Sequence, residues 1–128
     1  IFENDIAIDL KYGKLEIKHV MPESGSAMQS LPGYADHNTA YIDAANIKFP
    51  LMVRKWRNGD SFHPLGMNGR KLISDFLIDG KFSSLMKEAV YLLLSEGEVV
   101  WVIGHRLDER FKLKGNSGKS IRFNFTPN

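Results

Sequence analysis

The segment RKWRNGDSFHPLGMNGRK, residues 54–71, concentrates side chains that can bind phosphate groups. Five lysines and arginines accompany a single acid, Asp60, and three glycines. Arginine and lysine donate charge-assisted hydrogen bonds to phosphate oxygens, and glycine lets a backbone approach an anion closely. Such contacts hold a sugar-phosphate backbone without reading its bases. The candidate phosphate-binding residues of this segment are Arg54, Lys55, Arg57, Arg70 and Lys71.

The hydrophobic pattern that follows predicts a helix over residues 70–79, because apolar residues recur there with helical spacing. Asn68 is the expected N-cap, and Gly80 is the expected left-handed residue at the C-terminal end. Arg70 and Lys71 would then occupy the first turn, where each opposes the helix dipole by about 0.3–1 kcal/mol. A bound anion removes that cost, so the pattern predicts a polyanion at the helix start.

A structural interpretation of the same residues stays open. Exposed cations also occur in first helical turns without a ligand, and Pro64 and the glycines are equally suited to building turns. Trp56 and Phe62 fit a core or cation-packing role better than base stacking, and under the RNA-binding hypothesis they form a platform beneath the phosphates. Under the structural hypothesis these two aromatic residues, Met67 and Phe82 form an exposed apolar patch.

The remaining polar motifs predict neither catalysis nor metal binding. The segment GNSGKS, residues 115–120, ends like a P-loop, but Leu113 stands where the first glycine is required and a strand pattern follows. The segment RLDERFK, residues 106–112, indicates mutually neutralising surface pairs at least as readily as a functional cluster. Asp75 and Asp79 indicate a solvated helix face. The four histidines show no metal-ligand spacing: His19, His37, His63 and His105.

Length and composition indicate one soluble, cytoplasmic domain. The chain has 128 residues, of which 43% are hydrophobic and 25% charged, as in ordinary globular proteins. It has no cysteine and no apolar run near the roughly 20 residues of a membrane helix. Residues 1–47 carry a net charge of −4 and residues 48–128 one of +6, so the second half attracts polyanions better. Because the first residue is Ile1 rather than Met, we expect a fragment of a longer protein.

Alternating polarity predicts most of the strands. IAIDL and KLEIKHV flank Tyr12-Gly13 as a β-hairpin, and TAYIDA and FPLMVRKW are the next strands, with Pro50 at the start or edge of the second. YLLL and VVWVIG predict a hairpin buried on both faces, and IRFNF closes a sheet. A second short helix is expected from Ser83 or Ser84 to Ala89, and residues 21–38 are expected to be irregular. The predicted fold class is α+β, with mixed or antiparallel β-sheets and two short α-helices.

Two segments together closely resemble the C-terminal region of bacterial tRNA(Ile)-lysidine synthase. They are PLMVRKWRNGDSFHPLGMNGRKLISDFLIDGK, residues 50–81, and LLLSEGEVVWVIGHRLDERFK, residues 92–112. The ordered set VRxWRxGDxFxPLGM, SDFxxD, WVIG and DERFK is far more specific than any single motif. The resemblance implies a fold shared with the phenylalanyl-tRNA synthetase beta subunit. It also implies one C-terminal domain over residues 1–128, with a hairpin and irregular lead-in over 1–39, a family core over 40–113, and a terminal turn and strand over 114–128.

The resemblance implies a role in tRNA modification. The whole enzyme is an ATP-dependent ligase that attaches lysine to the wobble cytidine of isoleucine tRNA, and its chemistry belongs to an N-terminal domain whose loop motif is missing here. No catalytic residue, cofactor or metal is therefore expected on this chain, and ATP with Mg and lysine are substrates of the catalytic domain. The implied partners are tRNA(Ile), gripped mainly at the acceptor stem, and the enzyme's own N-terminal domain. A homodimer is left open, and no membrane is involved.

Carried over residue by residue, the resemblance adds cations outside residues 54–71, and Arg106 also matches a family cation. Leu72 and Ser83 depart from the family pattern, where many relatives place a lysine and a proline. The predicted tRNA-binding residues are Arg54, Lys55, Arg57, Arg70, Lys71, Lys81, Lys87, Arg110 and Lys112. The alternative function is a structural or dimerisation module that packs on the catalytic domain without touching RNA.

Overall fold

The computed structural model describes residues 1–20, 37–113 and 119–128. Short 3-10 turns lie at Ala44–Asn46 and Glu109–Phe111. In chain order the strands and helices are β1 (Ala7–Leu10), β2 (Gly13–Val20), β3 (Thr39–Asp43), β4 (Met52–Lys55), β5 (Ser61–Phe62), β6 (Lys71–Leu72), α1 (Ile73–Asp79), α2 (Ser84–Glu88), β7 (Tyr91–Ser95), β8 (Glu98–Val102), β9 (Arg106–Leu107) and β10 (Ser120–Pro127).

Two four-stranded sheets form the body of the domain. The first has the strand order β1-β2-β10-β3, and the second has the order β4-β7-β8-β9. Every strand pair within the described residues is antiparallel. Because β10 pairs with both β2 and β3, the last strand of the chain holds the N-terminal hairpin in the same sheet as the middle of the chain.

The second sheet is buried on both faces. On one side Leu93 and Trp101 pack against the first sheet, where Ile42 and Phe123 belong to the same hydrophobic cluster. On the other side alternate residues of β7 and β8, such as Leu92, join a second cluster formed with α1 and with residues that flank α2, such as Val90. Two buried faces explain why YLLL and VVWVIG are almost continuously apolar. The fully buried members of the second cluster are Phe62, Ile73, Leu77, Val90, Leu92 and Val102.

Helix α1 begins three residues later than the pattern predicts. Its N-cap is Leu72, which makes no side-chain capping bond, so the predicted N-cap Asn68 is wrong. Leu72 instead extends the short ladder with Ser61, and the amide of Ile73 donates to the Asp60 carbonyl at 2.8 Å. The acid Asp75 lies in the first turn, which is the charge that the helix dipole favours.

The end of α1 also differs from the prediction by one residue. Gly80 has φ −79°, whereas Lys81 takes the left-handed conformation with φ 58°. The amides of Lys81 and Phe82 donate to the carbonyls of Ile78 and Leu77, which is the Schellman pattern of helix termination. A lysine therefore occupies the position that normally favours glycine.

The other predicted elements are confirmed where the structure describes them. Both hairpins form, and α2 begins after Ser83, whose hydroxyl accepts from the Met86 amide. The IRFNF pattern is a strand within a sheet. The expected irregular stretch falls almost entirely outside the described residues, as do residues 115–118 of the GNSGKS segment. The predicted subdivision at residues 39 and 113 stays a prediction.

Candidate nucleic-acid interface

The glycine-rich loop (residues 57–70) is hydrogen-bonded to β9 and to the segment that follows it. The amide of Leu65 donates to the Leu107 carbonyl at 2.9 Å, and the amide of Glu109 donates to the His63 carbonyl at 2.7 Å. The two family-like segments, GDxFxPLGM and DERFK, therefore form one structural unit. The loop is held in a fixed position beside the second sheet.

The carboxylate of Glu109 adds a further contact to this unit. It accepts from the Gly66 amide at 3.0 Å, and it also pairs with Lys112. The Gly66 amide, followed by the Lys112 ammonium, lowers the pKa of Glu109 below its usual range. Lys112, a predicted tRNA-binding residue, is thus engaged with an acid of its own chain.

Asp108 is the buried centre of the unit. Its side chain is fully inaccessible, and its oxygens accept from the amides of His63 and Arg110 at 2.8 Å each. The Arg110 guanidinium donates to both of these oxygens at 3.0 Å and also to Glu98 at 3.0 Å. The Asp108 bond, then the Glu98 bond, raises the pKa of Arg110 against the effect of burial. The expectation that the acids of RLDERFK form surface pairs is wrong for Asp108, because this carboxylate lies in the interior.

Arg54 is engaged in a similar way at the start of the loop. Its guanidinium donates to both oxygens of Asp60, at 2.8 and 2.9 Å, and both side chains are largely buried. Asp60 also accepts from the Arg57 amide at 2.7 Å, closing the turn. The Arg54 hydrogen bonds lower the pKa of Asp60 more than burial raises it. Arg54 therefore stabilises the turn that carries Arg57.

The polyanion site predicted at the start of the helix is not built as expected. Arg70 and Lys71 precede α1, and Lys71 pairs across a strand ladder with Phe62. The Lys71 ammonium pairs with Asp79 of α1. The sequence predicts a solvated Asp79, and the structure places this carboxylate in an ion pair. The argument that unfavourable charges occupy the first helical turn is wrong, because Asp75 is the charged residue there.

Four of the predicted cations keep their charged groups unpaired within the described residues. No hydrogen bond or ion pair engages the side-chain nitrogens of this set, which consists of Arg57, Arg70, Lys81 and Lys87. Arg57 and Lys81 each adjoin a residue that packs against the second hydrophobic cluster, namely Trp56 and Phe82, while Arg70 precedes β6 and Lys87 lies in α2. We call this set the unpaired cations.

Lys55 has a partner that the sequence did not reveal. Its ammonium lies 5.2 Å from the centre of the Tyr12 ring, and the ammonium of Lys11 lies 5.3 Å from the same ring. Neither lysine makes an ion pair with another described residue. Lys11 and Tyr12 were assigned only to a hairpin turn from the sequence, since nothing local indicated that Lys55 would lie against them.

The aromatic residues in the loop and next to it have structural roles. Phe62 is fully buried and packs edge-on against Phe76, with ring centres 5.2 Å apart, so its predicted place in an exposed apolar patch is wrong. Trp56 is partly buried, and its indole nitrogen donates to the Lys87 carbonyl at 2.8 Å. That bond links the turn after β4 to α2, which positions Arg57 and Lys87 on neighbouring segments.

The three glycines of the loop are turn residues. Gly59, Gly66 and Gly69 have φ values of 96°, 83° and 85°, which favour glycine over other residues. Open space surrounds the position of a Cβ at each of them. The turn-building role that the sequence left open therefore accounts for all three.

A cavity of about 390 Å³ lies between β3 and β9. Its walls include Tyr41, Trp101, His105 and Arg106. Burial, and then the charge of His37, lowers the pKa of His105 below its usual range. Within the described residues, no cluster of three or more His, Asp or Glu side chains is arranged to hold a metal ion. None of the helices in that part of the chain has the length and apolar character to cross a membrane.

The family model described as the TilS substrate C-terminal domain matches residues 51–123. This match covers the second sheet, both helices, the glycine-rich loop and part of β10. The chain belongs to the TilS C-terminal domain family. The unit centred on Asp108 joins, in the fold, the two segments that resemble the lysidine synthase family.

Named relatives agree with the TilS assignment. The chain is 44% identical over 86 residues to the tRNA(Ile)-lysidine synthase of Parabacteroides distasonis, and 42% identical over 86 residues to that of Bacteroides thetaiotaomicron. Each alignment covers 67% of this chain and 20% of the relative. The chain therefore spans about a fifth of the length of these enzymes.

A solved structure described as the TILS C-terminal domain has the same fold. It superposes with a TM-score of 0.77 at 17% sequence identity, covering 98% of this chain and 95% of that one. This similarity confirms the sheet-rich fold with few helices. The further resemblance to a phenylalanyl-tRNA synthetase module stays a prediction.

Proposed function

We propose that this TilS C-terminal domain binds tRNA(Ile) for an ATP-dependent ligase that attaches lysine to the wobble cytidine. The relatives named tRNA(Ile)-lysidine synthase support the identity of the enzyme. The domain itself has no catalytic role in this proposal. ATP, Mg²⁺ and lysine bind the catalytic domain of the same cytoplasmic enzyme, and that domain is a partner of this one.

The observation that carries the proposal is the division of the basic residues into two groups. Arg54, Lys71 and Arg110 are neutralised by acids of the domain, whereas the side chains of the unpaired cations make no hydrogen bond or ion pair to an acid within the described residues. A cation that stabilises the fold needs a partner, and a cation that binds a phosphate must be free to do so. Of the nine predicted residues, we therefore assign RNA binding chiefly to Arg57, Arg70, Lys81 and Lys87. Lys55 is an additional contact.

The mode of binding is electrostatic and based on shape. The deep major groove of an A-form stem excludes side chains, so a rigid basic surface recognises the stem through its phosphates and 2′-hydroxyls. Trp56 and Phe82, which adjoin Arg57 and Lys81, pack against the same hydrophobic cluster, and the Trp56 indole donates to the Lys87 carbonyl. These contacts hold the backbone at the three cations in a fixed arrangement. A surface of that kind suits a double-stranded stem, and we assign it to the acceptor stem.

A competition experiment tests this assignment. Labelled tRNA(Ile) is bound to the chain at low salt and displaced by an acceptor-stem minihelix or by the anticodon stem-loop, each without label. We expect the minihelix to compete nearly as well as whole tRNA and the stem-loop to compete poorly. Equal competition by the two fragments would overturn the assignment to the acceptor stem, and the absence of any tRNA binding at low salt would overturn the proposed function.

A second candidate function is supported by exposed apolar side chains on the helices. Ile78 and Leu85 are 59% and 75% exposed, and Met86 is 49% exposed. Residues of this kind indicate a surface that packs on the catalytic domain or on a second copy of the chain. Sedimentation of the chain with and without tRNA separates the two functions. An RNA-binding domain co-sediments with tRNA, whereas the sedimentation of a packing module, whether monomer or oligomer, does not change when tRNA is added.

A further inference from the structure

We propose that an apolar groove beside Tyr12 binds one unpaired nucleotide of the RNA, with the base in the groove and the neighbouring phosphates on Lys11 and Lys55. The inference rests on the proposed function, because it adds a single-stranded subsite to a domain that binds a stem. Apart from Lys55, it involves residues that the sequence does not assign to RNA.

The groove lies between the N-terminal hairpin, the end of β10 and helix α2. Its walls are mostly aromatic and apolar, and it is lined by Tyr12, Phe82, Met86, Ala89, His105, Phe125 and Pro127, with Asn38 and Gly104. Five segments separated in the sequence therefore build it. The rings of Phe82 and His105 meet edge to face, with centres 4.8 Å apart, which fixes one wall.

The size of the groove favours a single base. Its volume is about 220 Å³, below the roughly 300–1,000 Å³ of sites that enclose a drug-sized ligand. One ring system can enter, whereas a whole nucleotide cannot be enclosed. The sugar and phosphates must then lie outside, where they need cations.

Two cations lie against Tyr12, and we place them at the rim of the groove. The ammonium groups of Lys11 and Lys55 are held 5.3 and 5.2 Å from the centre of the Tyr12 ring, which itself lines the groove. Neither has an acidic partner within the described residues. A phosphate beside the Tyr12 ring would therefore find ammonium groups with which to pair.

The combination of an aromatic groove and rim lysines is the recognised chemistry of single-stranded nucleic acid. Bases stack on or pack between aromatic side chains, while basic residues follow the backbone. An apolar peptide would fill the groove but would leave the lysines unmatched. A duplex would satisfy the lysines but could not insert a paired base. An unpaired nucleotide satisfies both features.

The experiment compares two RNA probes on the chain by fluorescence anisotropy. One probe is a single-stranded tetraribonucleotide, and the other is a blunt-ended RNA duplex. Phe82→Leu and Met86→Glu alter the walls, and the exposed position of Met86 makes the second variant tolerable to the fold. We expect Phe82→Leu to weaken tetranucleotide binding about 5- to 100-fold, the range of one base–aromatic contact. Met86→Glu should weaken it as well, and both variants should leave duplex binding within about 2-fold.

The rim is tested separately with Lys11→Ala combined with Lys55→Ala. We expect the salt dependence of tetranucleotide binding to fall by about 0.7 in slope for each lost contact. Lys14→Ala combined with Lys18→Ala removes two exposed lysines of β2 as the matched control and should leave the slope unchanged.

The possible results separate this inference from the proposed function. If the unaltered chain and folded Met86→Glu bind the tetranucleotide equally well, the groove is not a nucleotide site. The same conclusion follows if the chain forms a concentration-dependent dimer that Met86→Glu abolishes. If duplex binding persists in that case, the proposed function stands. If neither probe binds the unaltered chain at low salt, both proposals fail.

Discussion

The buried carboxylate of Asp108 holds the guanidinium of Arg110 with both oxygens, at 3.0 Å each, while the same oxygens bind the His63 amide and the Arg110 amide. Arg110 is thereby oriented by the fold and not by a ligand. Because His63 belongs to the glycine-rich loop, this pair also fixes the loop on which Arg57 and Arg70 are carried. Asp108 thus contributes to RNA binding indirectly, by positioning other residues.

Asp108→Asn should destabilise the domain by about 3 kcal/mol. Removing one partner of a buried ion pair costs roughly 3–5 kcal/mol, and the low end applies because the Arg110 side chain is 38% exposed. Urea unfolding followed by circular dichroism measures the change. The control is Asp79→Asn, which breaks the exposed Lys71 pair and should cost less than about 1 kcal/mol. Equal small effects of the two substitutions would contradict a structural role for Asp108.

The ion pair of Arg54 and Asp60 should make the domain sensitive to acid. Since the Arg54 hydrogen bonds lower the pKa of Asp60 in the folded state, the stabilisation is fully present above the ordinary pKa of about 3.9 and is lost as the pH falls through the lowered value. Arg54→Met should therefore reduce the unfolding free energy most at neutral pH. The difference from the unaltered chain should shrink below about pH 4. A difference that stays constant across urea unfolding curves at each pH would show that the pair is not the cause.

Lys81→Gly should stabilise the domain while weakening tRNA binding. The left-handed conformation of Lys81 costs a lysine more than a glycine, so we expect a gain of about 0.5–1 kcal/mol in the free energy of unfolding. The substitution also removes one of the unpaired cations. Lys81→Ala is the matched variant, because it removes the charge and keeps a Cβ. It should weaken tRNA binding equally without the gain in stability, and a stability gain in both variants would exclude the backbone explanation.

Much of the fold follows from local patterns in the sequence. The alternation around Tyr12-Gly13, the apolar runs on either side of residues 95–98 and the Ser83 cap are each decided by a few neighbouring residues, and the structure has them in place. The family resemblance rested on the order of several segments, and the family match confirms it.

The errors arise where distant segments meet. Lys71 continues a helical pattern in the sequence. Its strand pairing with Phe62 keeps the backbone extended, so the helix begins later than the pattern predicts. RLDERFK has the composition of a surface, and only its contact with His63, 45 positions earlier, explains a buried acid. Lys11 and Lys55 are brought to one ring by the two sheets, which no local pattern encodes.

The most direct test of the central claim is the salt dependence of tRNA(Ile) binding by Arg57→Ala combined with Arg70→Ala. The control is Lys14→Ala combined with Lys18→Ala, which removes the same charge from the first sheet. If the unpaired cations contact phosphates, the slope of log K against log salt should fall by about 1.4–1.8 for the two arginines and stay unchanged in the control. An unchanged slope and affinity in a folded Arg57/Arg70 double variant would contradict the assignment of tRNA binding to these residues.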